Sequence, residues 1–452
     1  MLQSNHHRLP SRAASTFALT LGGLGCCISL TACSGASAQE PAQSEELAAM
    51  TKLAREIQVE VAVLRGLDFN ADVPVEIATL EGFRAYAAER MESVGNQTQR
   101  EAQELGAKML GLIPTEMDYW GETLEILGGQ VGGYYDPERD TFSIMAGVTG
   151  ALAQSVLSHE LVHALDDQHF DLGGAMESRA EDTDRLTAYH AVVEGSAMVV
   201  QTVWTMQHIG DFSAADIAEM SDVTPQELFE TAPYIWMPVL FSYLRGQCFL
   251  QRTESLLAAQ TRKFDPADLD RAFREPPTST EQILHPAKYW DPEQRDEPAV
   301  VRVTAPEGSV WQPVHSEVLG EFGLRLVAAA PDSIEVPDAA NPMSFLSIEF
   351  TSDESDGWEG DCAQLFERDG ASLLVLATVW ETEIDRDEFA EAMDARRDAL
   401  LTAAQALGRH RGTTLASVAA QPVGELEFQL VIGIGVGSPD LVGTGFEVVI
   451  ER

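Results

Sequence analysis

Positive charge is what this chain lacks most. Among 452 residues only 29 are Lys or Arg against 72 Asp or Glu, a formal net charge of −43 at pH 7. The acids are spread along the chain, which describes a solvated surface suited to salt-rich or mildly acidic surroundings. Such a surface repels phosphate backbones, and this argues against DNA or RNA partners. Cysteine is scarce too: there are five, none in a Cys-x-x-Cys spacing, which excludes a zinc knuckle. A membrane-spanning run is also missing. The one apolar stretch near the N-terminus, Phe17 to Ala32, is too short and wrongly flanked to cross a bilayer. There is no internal repeat.

What is present at the N-terminus sets an expected compartment. Arg8 and Arg12 precede the apolar stretch, which ends in Leu30-Thr31-Ala32-Cys33. That ending resembles the lipobox of bacterial lipoproteins. The resemblance implies a signal peptide over 1–32, cleavage before Cys33, a lipid on its sulfur, and a cell-envelope location with membrane contact through that anchor. Ser34, rather than Asp, after the cysteine favours the outer-membrane or periplasmic face. The alternative is ordinary secretion after Ala36-Ser37-Ala38. Small polar residues make 33–44 a flexible tether. Cys248 and Cys362 remain, as one disulfide or as two buried thiols.

Along the mature chain the pattern is α+β and predominantly helical. Apolar residues recur at three and four from Glu45 to Gly66, Leu80 to Met91 and Thr98 to Leu110, and again over 150–168 and 184–208. Residues 128–145 read as two short strands around the Asp136-Pro137 turn. Helical patterns follow at 225–230, 237–257 and 278–289. The Pro- and Asp-rich stretch near 291–306 divides the chain into regions at 45–295 and 300–452. The second is expected to be α+β, with strands at 345–350 and 373–380, a helix over 387–407, and glycine-spaced strands beyond.

The chemistry centres on His159-Glu160-Leu161-Val162-His163. On a helix, residues four apart share a face, so two imidazoles meet one divalent ion while Glu160 is placed to take a proton from water. Zinc needs three protein ligands plus an open position. Two residues compete for the third place. His169 stands at the metzincin spacing, although Asp166 occupies the position where that pattern has a turning Gly. Glu194 sits in the apolar stretch Ala191-Val192-Val193-Glu194-Gly195-Ser196-Ala197, where a carboxylate is costly unless it meets a cation. The other histidines, at 190, 208, 315 and 410, read as isolated.

Residues 158–172 followed by Glu194-Gly195-Ser196-Ala197 resemble the gluzincin branch of zinc metallopeptidases. The chain also looks like secreted bacterial proteins built on that core, through Gly133–Pro137, Ser279–Pro286 and Gly357–Asp361. The resemblance implies a zincin-like metallopeptidase core over 45–295, Zn2+ held by His159, His163 and Glu194, and a peptide or protein substrate. Glu160 would act as general base and His285 as oxyanion donor, with Tyr243 and Tyr289 as alternatives. Strand 141–145 is expected to bind peptide along an open edge. One departure from the thermolysin-like pattern is Met198, where that pattern has an orienting Asp. The alternative from another class is a catalytically silent envelope binding or assembly module that keeps zinc for stability.

Overall fold

The computed structural model describes residues 27–30, 40–93, 96–221, 226–330, 333–338, 341–423, 428–437 and 446–451. Cys33 and most of the expected leader and tether lie outside them. The chain is mixed α+β. Among the described residues no helix is long and apolar enough to cross a membrane.

A four-stranded sheet supports the site. Its strands are β1 (Cys27–Leu30), β2 (Val75–Ala78), β3 (Val131–Asp136) and β4 (Thr141–Met145), in the order β1-β3-β4-β2. β3 and β4 form the expected hairpin, Gly133 opposite Ile144 and Asp136 opposite Thr141. Asp136 Oδ1 accepts from the Glu138 amide and fixes its turn. β2 joins β4 in parallel, and β1 joins the outer edge of β3 antiparallel. β4 is therefore an interior strand, not the open edge expected for it; β3 is the strand whose outer edge meets the N-terminal segment.

Every residue of β3 and β4 is buried, because helices cover the sheet. The motif helix, Gly150–Phe170, lies against β3. Gly133 permits this approach: a Cβ there would lie 2.8 Å from Val156 Cγ1 and 2.9 Å from the Phe142 ring. Around it pack the first helix, Glu40–Arg65, which begins inside the expected tether, and the ligand helix, Thr183–His208. Asp182 caps the latter by accepting from the Arg185 amide.

The C-terminal region holds strands β5 (Val300–Thr304), β6 (Gln312–Glu317), β7 (Trp358–Arg368), β8 (Ala371–Trp380), β9 (Ala416–Val423), β10 (Gln429–Val436) and β11 (Glu447–Glu451). Five of them form an antiparallel sheet in the order β6-β7-β8-β10-β9, crossed by the long helix Glu383–His410; β11 pairs with β5. The main hydrophobic core runs from Met50 in the first helix to Val436 in β10, so both regions share it. Residues 345–350 are not a strand: Asn341 caps a 3-10 turn over Pro342–Ser347. The helix expected over 237–257 is broken by a π-helical turn at Phe241–Arg245. Cys248 and Cys362 are buried free thiols.

Candidate metal centre

Two helices converge on one point. His159 and His163 project from one face of the motif helix, their ring centroids 4.7 Å apart and their planes at 78°. Glu194 comes from the ligand helix, and its Oε2 lies 3.2 Å from His159 Nε2 and 3.5 Å from His163 Nε2. One ligand atom from each of the three lies within 4.8 Å of the others. Atoms 2.0–2.1 Å from a tetrahedral ion stand about 3.4 Å from one another. The Glu194 separations from the two histidines are compatible with three ligands on one tetrahedral ion.

Electrostatics favours the ligand forms. Burial pulls His163 down to about 4, which keeps its imidazole neutral. Burial alone would raise Glu194, but the surrounding imidazoles, His163 first and then His159 and His190, outweigh it and hold the carboxylate well below its usual range. Both His163 ring nitrogens are buried without a hydrogen bond among the described residues. Buried polar atoms in that condition fit a role as metal donors.

Outer partners aim these ligands. Gln201 Oε1 lies 3.2 Å from His159 Nδ1, and its amide nitrogen donates to the carbonyl and hydroxyl of Ser155. Gln201 thereby orients His159. His190 Nε2 is 3.3 Å from Glu194 Oε1, and its Nδ1 meets Ser242 Oγ at 2.9 Å. Contrary to the sequence reading, His190 is not isolated. Beneath the site Asp166 accepts from Ser196 Oγ at 2.6 Å and from Arg65 Nε at 2.7 Å, tying three helices together.

A π-helical turn completes the surroundings. A Cβ on Gly195 would overlap the backbone of Gly246, and one on Gly246 would overlap the Ala191 carbonyl. The ligand helix and the segment after Phe241–Arg245 therefore touch backbone to backbone, and Tyr243 is brought over His159, rings 5.7 Å apart and nearly parallel at 17°. Such turns recur at functional sites.

His169 takes no part in the cluster. The motif helix runs through Asp166 without turning and ends at Asp171, so His169 reaches the Asp68 carbonyl at 2.8 Å. His285 is not one of the three converging groups: its Nε2 faces Glu321 at 3.0 Å and Asp356 at 3.6 Å. Tyr289 donates to the Glu275 carbonyl, which leaves Tyr243 as the tyrosine beside the site. Glu160 is fully buried on the motif helix. The signal for His190 was its spacing from Glu194, one helical turn earlier; Ser242 and Arg65 gave none, because their partners are remote in sequence.

Residues 309–426 match the model of a domain of unknown function (DUF8575), which spans most of the C-terminal sheet and its long helix and does not include His159, His163 or Glu194. No curated protein and no solved structure matches the chain.

Proposed function

We propose that the chain is a zinc-dependent metallopeptidase with a zincin-like core, anchored by lipid at Cys33 on the outer-membrane or periplasmic face of the cell envelope, secretion being the alternative. The observation that carries this is the convergence of His159, His163 and Glu194 at ligand spacing, with Glu160 on the same helix as the two histidines. When bound, zinc supplies Lewis acidity, acidifying a water and polarising the scissile carbonyl. Glu160 accepts the proton of the attacking water and returns it to the leaving amine. The Tyr243 hydroxyl takes the oxyanion role in place of the expected His285, because its ring lies over His159. An extended peptide pairs with the outer edge of β3, which cleavage before Cys33 frees by removing Cys27–Leu30.

A second reading rests on burial. His159, Glu160, His163 and Glu194 are each no more than 1% exposed, as suits a zinc kept for stability in a catalytically silent module. Purified wild type and E160Q, incubated with casein and a peptide library with and without chelator, separate the two. Chelator-sensitive cleavage lost in E160Q, with zinc retained, supports the peptidase. Zinc retained in both with no cleavage by either supports the silent module.

A further inference from the structure

The geometry points to a second divalent-cation site, formed by His285, Glu321 and Asp356 and suited to zinc or manganese. It does not depend on the peptidase reading. His285 follows the short helix Thr280–Leu284, Glu321 lies in the helix Gly320–Ala328, and Asp356 lies in the loop before β7. One ligand atom from each lies within 4.8 Å of the others.

Hydrogen bonding alone leaves this cluster unsatisfied. His285 Nε2 faces Glu321 Oε1 at 3.1 Å, Glu321 Oε2 at 3.0 Å and Asp356 Oδ1 at 3.6 Å. A single N–H cannot serve three carboxylate oxygens. Thr351 donates to Glu321 Oε1, whereas Oε2 of this wholly buried side chain has no well-directed hydrogen bond among the described residues, only the His285 imidazole 3.0 Å away. Burying a carboxylate with an unmet oxygen is costly. A cation among these atoms removes the cost, and their 3.0–3.6 Å separations suit ligand distances near 2.0–2.2 Å.

The adjoining cavity, about 570 Å³, is lined by His285, Asp356 and the further acids Glu254, Glu349, Asp353 and Glu354. Arg245 is the one basic residue in that lining besides His285, and its guanidinium is committed to the Glu254 and Leu284 carbonyls at 2.7 and 2.6 Å. The cavity therefore carries an excess of negative charge facing a half-buried imidazole. A cation here ties the helical region to the C-terminal region through three separate segments.

Metal analysis of the full chain after dialysis against Zn2+, and Mn2+ titration followed by electron paramagnetic resonance, test this. D356N alters an exposed side chain, so its fold is expected to survive, and circular dichroism checks that. The expected result is one equivalent fewer, or affinity at least tenfold weaker, in D356N and H285N than in wild type, with E349Q unchanged. H159N removes a different equivalent. Equal stoichiometry and affinity in wild type, D356N and H285N overturns the second site, whatever H159N shows. Loss in D356N without loss in H159N supports it and counts instead against the first.

Discussion

Gly195 lies directly against Gly246, backbone on backbone, with no room for a methyl group on either. The contact is one residue beyond Glu194, so the packing of these two segments also sets where the Glu194 carboxylate lies. G195A forces the two segments apart. Overpacking of this kind costs about 1–3 kcal/mol. The variant is expected to unfold at lower denaturant concentration and to bind zinc more weakly, as urea titration and metal analysis would show.

Arg65, Asp166 and Ser196 form a buried clamp beneath the site. Arg65 and Asp166 are both fully buried, and Arg65 Nη1 also reaches Asp270 at 2.8 Å. Burial raises Asp166, while Arg65 and the Ser196 hydroxyl oppose that rise. R65M leaves the carboxylate without its cation and is expected to cost about 3–5 kcal/mol. S196A removes one hydrogen bond and should cost about 1–3 kcal/mol. A smaller loss in R65M than in S196A, by denaturation, contradicts this arrangement.

Gln201 Oε1 lies 3.2 Å from His159 Nδ1, and its amide nitrogen is held by Ser155, so it fixes the ring. Q201A is expected to weaken zinc binding about 10–100-fold, as outer partners of metal ligands commonly do. Competition with a chromophoric chelator measures it. Unchanged affinity would remove Gln201 from the site.

A group of buried acids makes stability depend on pH. Asp184 Oδ1 accepts from the Thr280 amide at 3.0 Å and from its hydroxyl, while Oδ2 is buried without a hydrogen bond among the described residues. Burial, then the nearby Asp182 charge, raises Asp184 well above its ordinary range. Burial likewise pushes Asp361 up to about 7. The folded chain therefore keeps a proton that the unfolded chain releases above the ordinary carboxyl value. Stability falls as pH rises from that value through the raised one. D184N keeps the acceptor oxygen and removes the titration, so its stability relative to wild type should increase as pH rises above the ordinary carboxyl value. A constant difference across that rise contradicts the assignment.

Much of the centre was legible because it rests on local spacing. His159 and His163 are four apart, and Glu194 stands out as a carboxylate among apolar neighbours. The mixed α+β class, the β3–β4 hairpin and the helix over 184–208 were equally readable. Relations set by tertiary packing were not. His285 lies within the Ser279–Pro286 stretch, yet its partner is Glu321, 36 residues away on a separate helix. Residues 345–350 carry strand-favouring Phe, Leu and Ile, but the Asn341 cap and Pro342 commit the segment to a turn. Val75–Ala78 is too short to show a period, and it becomes a strand because β4 offers it an edge.

Zinc content of purified E194Q and H169A, each compared with wild type, tests the central claim most directly. The account predicts that E194Q loses one equivalent while H169A keeps the wild-type number. Loss in H169A with full retention in E194Q would contradict it.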